Sequence, residues 1–267
     1  MRKATLLTAL LIFIVGVFPA AMQDDADIEV DLSPITIPNT QTVSLTSAIN
    51  GRDYQLMVAL PDSYDISDQT YPVLYLLDPA FAFLSVTEFV RFLGNGDDLP
   101  ELIVVGIGYP DASSDDISRL REHDYFLAQD EFIEVISQEI FPLVDSIYRT
   151  ENTDRAIVGF SYGGEFVFHA LVNRPDLFNR YAAIDSNYSE FGALFTNSSR
   201  DDEFRERLTG LDVKLFFAVA GNEILSAAIQ NRDYEGLEAS GLSLGNITHA
   251  AALHHALPAA IMAIYAE

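Results

Sequence analysis

Short apolar runs that alternate with helix-like stretches constrain the fold of this chain more than any other feature. Each run is apolar almost throughout, as strands are when both faces of a parallel sheet are covered. Helices must connect such strands, so the sequence predicts an α/β protein with a mostly parallel sheet and helices on both faces. The five runs are residues 73–77, 102–107, 156–159, 181–184 and 213–220.

An antiparallel hairpin is predicted ahead of these runs. Residues 42–46 and 53–60 alternate between apolar and polar side chains, and the turn pair Asn50-Gly51 lies between them. Right-handed crossovers through helices should then join the parallel strands into a single domain over residues 41–267. Helical spacing is found at residues 86–93, 129–148, 162–173, 202–208, 224–238 and 253–265.

The first residues are typical of an export signal. Arg2 and Lys3 precede an almost wholly apolar stretch over residues 4–17, and small residues follow at Pro19-Ala20-Ala21. The apolar stretch is too short for a comfortable membrane span, so we predict a signal peptide over residues 1–21 rather than an anchor. Residues 22–40 form an acidic leader segment, and the mature protein is expected to be secreted or periplasmic.

Charge and cysteine content exclude several classes of function. The chain carries 40 Asp and Glu against 15 Lys and Arg, a net charge of −25, which disfavours binding to nucleic acid or to anionic membrane. No stable membrane insertion is expected after the signal is removed. The absence of cysteine excludes disulfides, thiolate metal sites and cysteine catalysis. We predict neither a cofactor nor a metal site.

A G-x-S-x-G motif at Gly159-Phe160-Ser161-Tyr162-Gly163 carries the chemistry. It lies between an apolar strand and a helical stretch, the context in which a tight turn lifts a nucleophilic serine above a sheet. Only small residues can flank such a strained turn without collision. The sequence therefore predicts Ser161 as a nucleophile.

A serine nucleophile needs a histidine base, and the usual chain order in such folds is serine, acid, histidine. His249 is the predicted base because it lies in a loop-like stretch before the last helix, with His254 and His255 as alternatives. His123 precedes the serine, and His169 lies within the helix that follows it.

Two carboxylates are candidates for orienting the histidine. Glu223 follows the last apolar run and is the predicted acid, while Asp185, at the end of the preceding run, is the alternative. The amide of Tyr162 is the first predicted oxyanion donor. Ala80 is predicted as the second, with Phe81 as its alternative, because Pro79 has no N–H.

Motifs spread over residues 50–265 resemble the esterase D-like family of α/β-hydrolases, nearest its secreted siderophore-esterase-like branch. The resemblance implies the α/β-hydrolase fold, with Ser161 as nucleophile, His249 as base and Glu223 as acid. Two departures concern Asp78-Pro79, where the family usually has Asp-Gly, and Phe126-Leu127, where it usually has Thr-Pro. The matching segments are Y-Q-L-M-V-A-L-P-D-S-Y at 54–64, Y-P-V-L-Y-L-L-D at 71–78, L-I-V-V-G-I-G-Y-P at 102–110 and R-E-H-D-Y at 121–125.

These observations predict a serine esterase that hydrolyses a small-molecule carboxylic ester through an acyl-enzyme intermediate. An acyltransferase with the same chemistry is one alternative, and a non-catalytic binding protein on a hydrolase scaffold is another. Aromatic residues after the third strand could line an acyl pocket, but the core face of a helix is the favoured interpretation. They are Phe81, Phe83, Phe89 and Phe92.

Overall fold

The computed structural model describes residues 36–96, 98–110, 113–219 and 222–265. Within them, the strands are β1 (Thr40–Thr46), β2 (Asp53–Ala59), β3 (Tyr71–Leu77), β4 (Ile103–Gly108), β5 (Thr150–Phe160), β6 (Arg180–Ile184), β7 (Val213–Ala218) and β8 (Leu237–Gly241). These eight strands form one sheet in the order β1-β2-β4-β3-β5-β6-β7-β8. The predicted signal peptide and residues 22–35 of the predicted leader lie outside the described residues.

Pairing directions divide the sheet into two parts. β1 and β2 form the predicted hairpin, and β2 also runs antiparallel to β4. All other neighbouring strands are parallel, from β4 through β3 and β5 to β8. The mostly parallel sheet with an N-terminal antiparallel hairpin is therefore confirmed.

Helices cover both faces of the sheet, as predicted. The helices are α1 (Pro79–Gly94), α2 (Ser114–Glu122), α3 (Gln129–Val135), α4 (Phe141–Ile147), α5 (Tyr162–Asn173), α6 (Ser189–Leu194), α7 (Ser198–Leu208), α8 (Asn222–Gln230) and α9 (His249–Tyr265). Side chains of β3 alternate between the two faces. Tyr75 packs in the cluster beneath α3, α4 and α5, and Leu76 packs in the cluster beneath α1 and α9. Across the described ranges, none of the helices has the length and apolar character needed to cross a bilayer.

The predicted helices over 202–208 and 253–265 begin four residues earlier in the structure, and three others differ more. The predicted helix over 224–238 is wrong beyond Gln230, because Asp233 and Gly236 adopt positive φ and the chain then forms β8 beside β7. The predicted helix over 129–148 is interrupted by a π-helical turn between α3 and α4. α1 begins at Pro79, well before the predicted start, because the fixed φ of proline suits the first position of a helix.

Candidate active site

Ser161 lies at the sharp turn between β5 and α5, at the C-terminal edge of the parallel strands. Its φ of 57° and ψ of −121° are strained for a residue with a side chain. The turn is held by the Ser161 N–H, which donates to the carbonyl of Ile184 at 2.9 Å. The serine hydroxyl is thereby fixed at the N-terminus of α5.

Glycines beside Ser161 allow this turn to close. A Cβ atom built on Gly159 would lie 2.2 Å from the carbonyl oxygen of Gly163, and one on Gly164 would lie 2.8 Å from Cβ of Ser186. Both distances are too short for real carbon contacts. Gly159 and Gly164 are therefore a steric requirement of the turn that presents Ser161.

Substituting Gly159 by alanine is expected to lower the free energy of unfolding by about 3 kcal/mol or more, because the new methyl group collides with backbone. Gly192→Ala is a matched control, since a Cβ at this helical position meets nothing within 4 Å. That variant should be neutral or more stable by up to about 1 kcal/mol. Urea unfolding of both variants measures the difference, and equal stabilities would contradict a steric role for Gly159.

His249 lies within hydrogen-bonding reach of Ser161. Its Nε2 atom is 3.1 Å from the serine Oγ, and the ring stacks on Phe160 with centroids 4.6 Å apart. His249 is the first residue of α9 rather than part of a loop, and more than half of its side chain is exposed. His254 and His255, the alternatives, lie exposed further along the same helix. The structure therefore brings together Ser161 and His249, as the sequence predicts.

The carboxylate that meets His249 belongs to Asp185, which corrects the prediction of Glu223. Oδ2 of Asp185 lies 2.7 Å from Nδ1 of His249. Glu223 is exposed in the first turn of α8, and no hydrogen bond joins it to His249 in the described part of the chain. The physical reason is strand order, since β6, which ends beside Asp185, is the direct neighbour of β5, whereas β7 lies one strand further from Ser161.

The turn after β6 aims Asp185 at the histidine. Its φ is 44°, and its N–H donates to the carbonyl of Ala218 at 2.6 Å. Since Nδ1 of His249 donates to this carboxylate, Nε2 is left to accept the proton of the serine hydroxyl. The order along the chain is still serine, acid, histidine.

Two helix N-termini meet beside Ser161 and offer backbone N–H groups. A Cβ on Gly163, in the first turn of α5, would lie 3.3 Å from Cβ of Leu77, at the end of β3 where α1 begins. The first N–H groups of a helix have no partner inside it and carry partial positive charge. The amides of Tyr162 and Ala80 occupy such positions in α5 and α1.

The hydrogen bonds of the first turn of α1 separate the two candidates for the second donor. The Phe81 N–H donates to the carbonyl of Asp78 at 3.0 Å, so this amide is already engaged. For Ala80, no hydrogen bond of its N–H is found within the described ranges, and the Asp78 side chain does not cap the helix. The geometry therefore favours Ala80 over Phe81.

A buried ion pair supports the start of α1. The Asp78 carboxylate accepts from Nε of Arg121 at 2.5 Å and from its Nη2 at 2.7 Å. Burial raises the pKa of Asp78, and the hydrogen bonds and charge of Arg121 oppose that rise. This bidentate pair joins α2 to the turn that precedes Ala80, a role that sequence reasoning missed although Arg121 opens the R-E-H-D-Y motif.

Asp124, in the same motif, is the centre of a second buried network. Its carboxylate accepts from the hydroxyls of Tyr54 at 2.9 Å and Tyr109 at 3.1 Å, and pairs with Arg52. Burial raises the pKa of Tyr54, so this phenol stays a hydrogen-bond donor across the ordinary pH range. The R-E-H-D-Y segment therefore connects the start of α1, through Arg121, to the hairpin strand β2, through Asp124.

Replacing Arg121 by methionine is expected to destabilise the fold by about 3–5 kcal/mol, because it leaves the Asp78 carboxylate buried without its partner. Arg119, on the same helix, pairs with Asp116 at the surface, and 73% of its side chain is exposed. Arg119→Met should therefore change stability by less than about 1 kcal/mol. Chemical denaturation of the two variants provides the comparison, and a small effect at Arg121 would show that the buried pair contributes little.

A stacked pair of exposed aromatic side chains lies beside Ser161. The rings of Phe126 and Tyr162 stack with centroids 6.0 Å apart, and about half of the Phe126 side chain faces solvent. Leu127 and Phe81 are also exposed. Of the other aromatics after β3, Phe83 is buried in the core, Phe89 packs against it and Phe92 is exposed, so these side chains do not form one pocket.

No set of three or more His, Asp or Glu side chains within the described ranges is arranged to hold a metal ion. The groups that converge at the site are a hydroxyl, an imidazole, a carboxylate and two backbone amides. This set can carry out nucleophilic attack on a carbonyl, proton transfer and stabilisation of an oxyanion.

Comparison with known proteins yields one family and a consistent group of relatives. The profile of the family described as "Putative esterase" matches residues 47–208. Ferri-bacillibactin esterase BesA of Bacillus subtilis is 30% identical over 169 residues, covering 55% of this chain and 58% of that protein. The siderophore triacetylfusarinine C esterase of Aspergillus fumigatus is 28% identical over 173 residues, covering 57% of this chain and 56% of that protein. These matches span little more than half the length of either relative.

A solved structure extends the likeness in fold to most of the chain. The crystal structure of the BES protein from Bacillus cereus superposes with a TM-score of 0.76 at 19% sequence identity. The match covers 89% of this chain and 99% of that one. The α/β-hydrolase architecture expected from the sequence is therefore confirmed.

Proposed function

Because the chain belongs to this esterase family, we propose that it is a serine esterase that hydrolyses a small-molecule carboxylic ester. The observation that carries the proposal is the continuous relay from Asp185 through His249 to Ser161, with hydrogen-bond distances of 2.7 and 3.1 Å. The relay lies at the C-terminal edge of the sheet, beside the first turns of α5 and α1, and the Ala80 N–H has no hydrogen bond among the described residues. The relatives named as a ferri-bacillibactin esterase and a siderophore triacetylfusarinine C esterase support an ester substrate.

In the proposed mechanism, the hydroxyl of Ser161 attacks the carbonyl carbon while Nε2 of His249 takes its proton. Asp185 holds the imidazole in the required tautomer and stabilises its positive charge. The amides of Tyr162 and Ala80 donate to the oxyanion of the tetrahedral intermediate. His249 then protonates the departing alkoxide, and the acyl group remains on Ser161.

Water completes the reaction. His249 removes a proton from a water molecule, whose oxygen attacks the acyl-enzyme, and the proton returns to Ser161 as the acid departs. The half-exposed imidazole gives water direct access to this step. Hydrolysis is therefore favoured over transfer to another alcohol. Export through the predicted signal peptide stays a prediction for the N-terminal residues.

Active-site labelling combined with turnover tests the proposal. The purified full-length chain should hydrolyse p-nitrophenyl acetate and take up one fluorophosphonate per molecule, on the peptide that contains Ser161. Ser189→Ala serves as the matched control, because the Ser189 hydroxyl lies outside the relay. This variant should take up the fluorophosphonate as the wild type does. The absence of both labelling and turnover above the buffer rate would refute a serine esterase.

Methanol distinguishes hydrolysis from acyl transfer. With methanol added at a few per cent of the water concentration, a hydrolase should release mainly free acid, in proportion to the water present. A methyl ester yield far above that proportion would indicate an acyltransferase instead.

A further inference from the structure

Three carboxylates are buried in the described part of the chain, and one of them lacks a cationic partner there. Asp78 pairs with Arg121, and Asp124 pairs with Arg52. Glu165, in α5, is just as deeply buried, with only 7% of its surface exposed. No arginine, lysine or histidine among the described residues contributes to its electrostatic environment. This carboxylate plays no part in the relay and needs an explanation of its own.

The surroundings of Glu165 do not stabilise its negative charge. Its side chain accepts one hydrogen bond among the described residues, from the Ser189 hydroxyl at 3.5 Å, which is longer than the usual O–H···O distance of about 2.5–3.0 Å. Burial raises the pKa of Glu165, the hydrogen bond from Ser189 opposes that rise, and the charge of Glu190 adds to it. Glu190 is itself engaged with Arg200 at 2.7 Å. A cation brought to Glu165 would therefore meet an uncompensated negative charge.

Glu165 lies one helical turn beyond the nucleophile. Its N–H donates to the carbonyl of Ser161 at 3.0 Å, and residues one turn apart are about 5–6 Å from each other. Ser189, which donates to its side chain, opens α6 only four residues after Asp185 of the relay. The carboxylate is thus held between the helix of the nucleophile and the segment that follows the relay acid. A short substituent on an ester bound at Ser161 can reach it.

Stability alone does not account for this buried charge. Burial of an unpaired charge destabilises a fold, and a neutral side chain of the same size avoids that penalty. A negative charge in the first turn of α5 interacts favourably with the helix dipole, but an exposed position gives the same benefit without burial. Groups kept at a cost in stability beside an active site are typically kept for function.

We propose that Glu165 is a substrate-recognition residue whose carboxylate binds an ammonium or guanidinium group carried by the ester. The inference rests on the proposed esterase function, because the position beside Ser161 is what makes Glu165 a neighbour of the substrate. A charge-assisted hydrogen bond from the ligand would replace the weak one from Ser189. The net charge of −25 also attracts cationic substrates to the protein as a whole.

Two matched pairs of esters test the assignment. They are 4-aminobutyl acetate with pentyl acetate, and ethyl 6-aminohexanoate with ethyl heptanoate. In each pair a terminal methyl group is exchanged for an ammonium group of similar size, in the alcohol part or in the acyl part. For at least one pair, the cationic-to-neutral ratio of kcat/KM should be at least about tenfold lower in Glu165→Gln than in the wild type, since a charged hydrogen bond is lost. Acid release at constant pH provides the rates.

The loss should appear mainly in KM for the cationic ester. The contact between ammonium and carboxylate is made before the carbonyl reacts and persists in the transition state, so it contributes to binding in both states. Glu223→Gln is the matched control, because it removes one charge from an exposed position after β7, at the same edge of the sheet. It should keep the wild-type ratio within about twofold, which separates a direct contact from the general acidity of the chain.

Urea unfolding distinguishes recognition from a structural role. Glu165→Gln and the apolar variant Glu165→Leu should unfold at the same urea concentration as the wild type or at a higher one, because each removes an unpaired buried charge. Both variants should lose the preference for the cationic ester. A structural carboxylate would instead give a lower midpoint and an unchanged cationic-to-neutral ratio, and that result would overturn the proposal.

The remaining outcomes separate the recognition role from the esterase function. No hydrolysis of any ester, together with no fluorophosphonate labelling, would overturn the esterase function and the role of Glu165 with it. Hydrolysis with the same cationic-to-neutral ratio in the wild type and in Glu165→Gln would overturn the role of Glu165 alone. An equal fall of the ratio in Glu223→Gln would also overturn it, since the effect would then belong to the overall charge.

Discussion

Replacing Ser161 by alanine is expected to lower kcat for p-nitrophenyl acetate by about 10⁴-fold or more, because removal of a triad nucleophile leaves only binding and oxyanion stabilisation. The variant lacks the oxygen that attacks the carbonyl, so no acyl-enzyme can form. His249 and Asp185 remain in place. Initial rates at saturating substrate provide the measurement.

The fold of the Ser161→Ala variant should be intact, because no residue except His249 hydrogen-bonds to the serine hydroxyl in the described part of the chain. Ser186→Ala is a suitable second comparison, since the buried hydroxyl of this serine, the residue after Asp185, has no hydrogen-bond partner among the described residues. The second variant should retain most of the activity. Residual activity within about tenfold of wild type in Ser161→Ala would contradict the assigned nucleophile, since a triad serine contributes far more.

Asp185→Asn is expected to lower kcat by about 10³–10⁴-fold with little change in KM, since an amide at this position favours the wrong histidine tautomer. The substitution preserves shape and removes one charge. A loss concentrated in kcat would distinguish an effect on proton transfer from one on substrate binding. Steady-state kinetics on one ester is sufficient for this comparison.

Glu223→Gln is the matched control, because it also removes one carboxylate charge without a change in size. Glu223 is exposed at the start of α8, so its variant should keep kcat within about twofold of wild type, as surface substitutions usually do. If Glu223→Gln were inactive and Asp185→Asn active, the carboxylate that orients His249 would be Glu223, as predicted from the sequence. Comparable losses in both would show that the two carboxylates share the role.

The sequence predicted the core of the sheet and the sharp turn at Ser161 well, because both depend on local patterns. Buried parallel strands are apolar on both faces, and the glycines around Ser161 reflect collisions within a few residues of chain. The carboxylate that contacts His249 was harder to choose, since Asp185 and Glu223 both follow a strand. Only the lateral order of β5, β6 and β7 places one of them nearer to Ser161, and that order is a property of tertiary structure.

The start of α1 and the identity of β8 illustrate the same limit. The sequence shows Pro79 only as a departure from the family's Asp-Gly pair, whereas in the structure Pro79 begins a helix and places Ala80 in its first turn. Residues of β8 have a mixed composition, and pairing with β7 makes them a strand. The ion pair of Asp78 and Arg121 joins residues far apart in the chain, so no local sequence pattern indicates it.

Three non-glycine residues with positive φ directly follow neighbouring strands of the sheet. They are Asp78 after β3, Ser161 after β5 and Asp185 after β6. Each such conformation costs about 1–3 kcal/mol, and the rest of the fold compensates for it. Attempts to make this protein more heat-resistant would gain from relaxing these turns, yet the same relaxation would misdirect the groups they aim. Thermostabilising substitutions are therefore best sought at the opposite edge of the sheet, where a gain in rigidity does not oppose turnover.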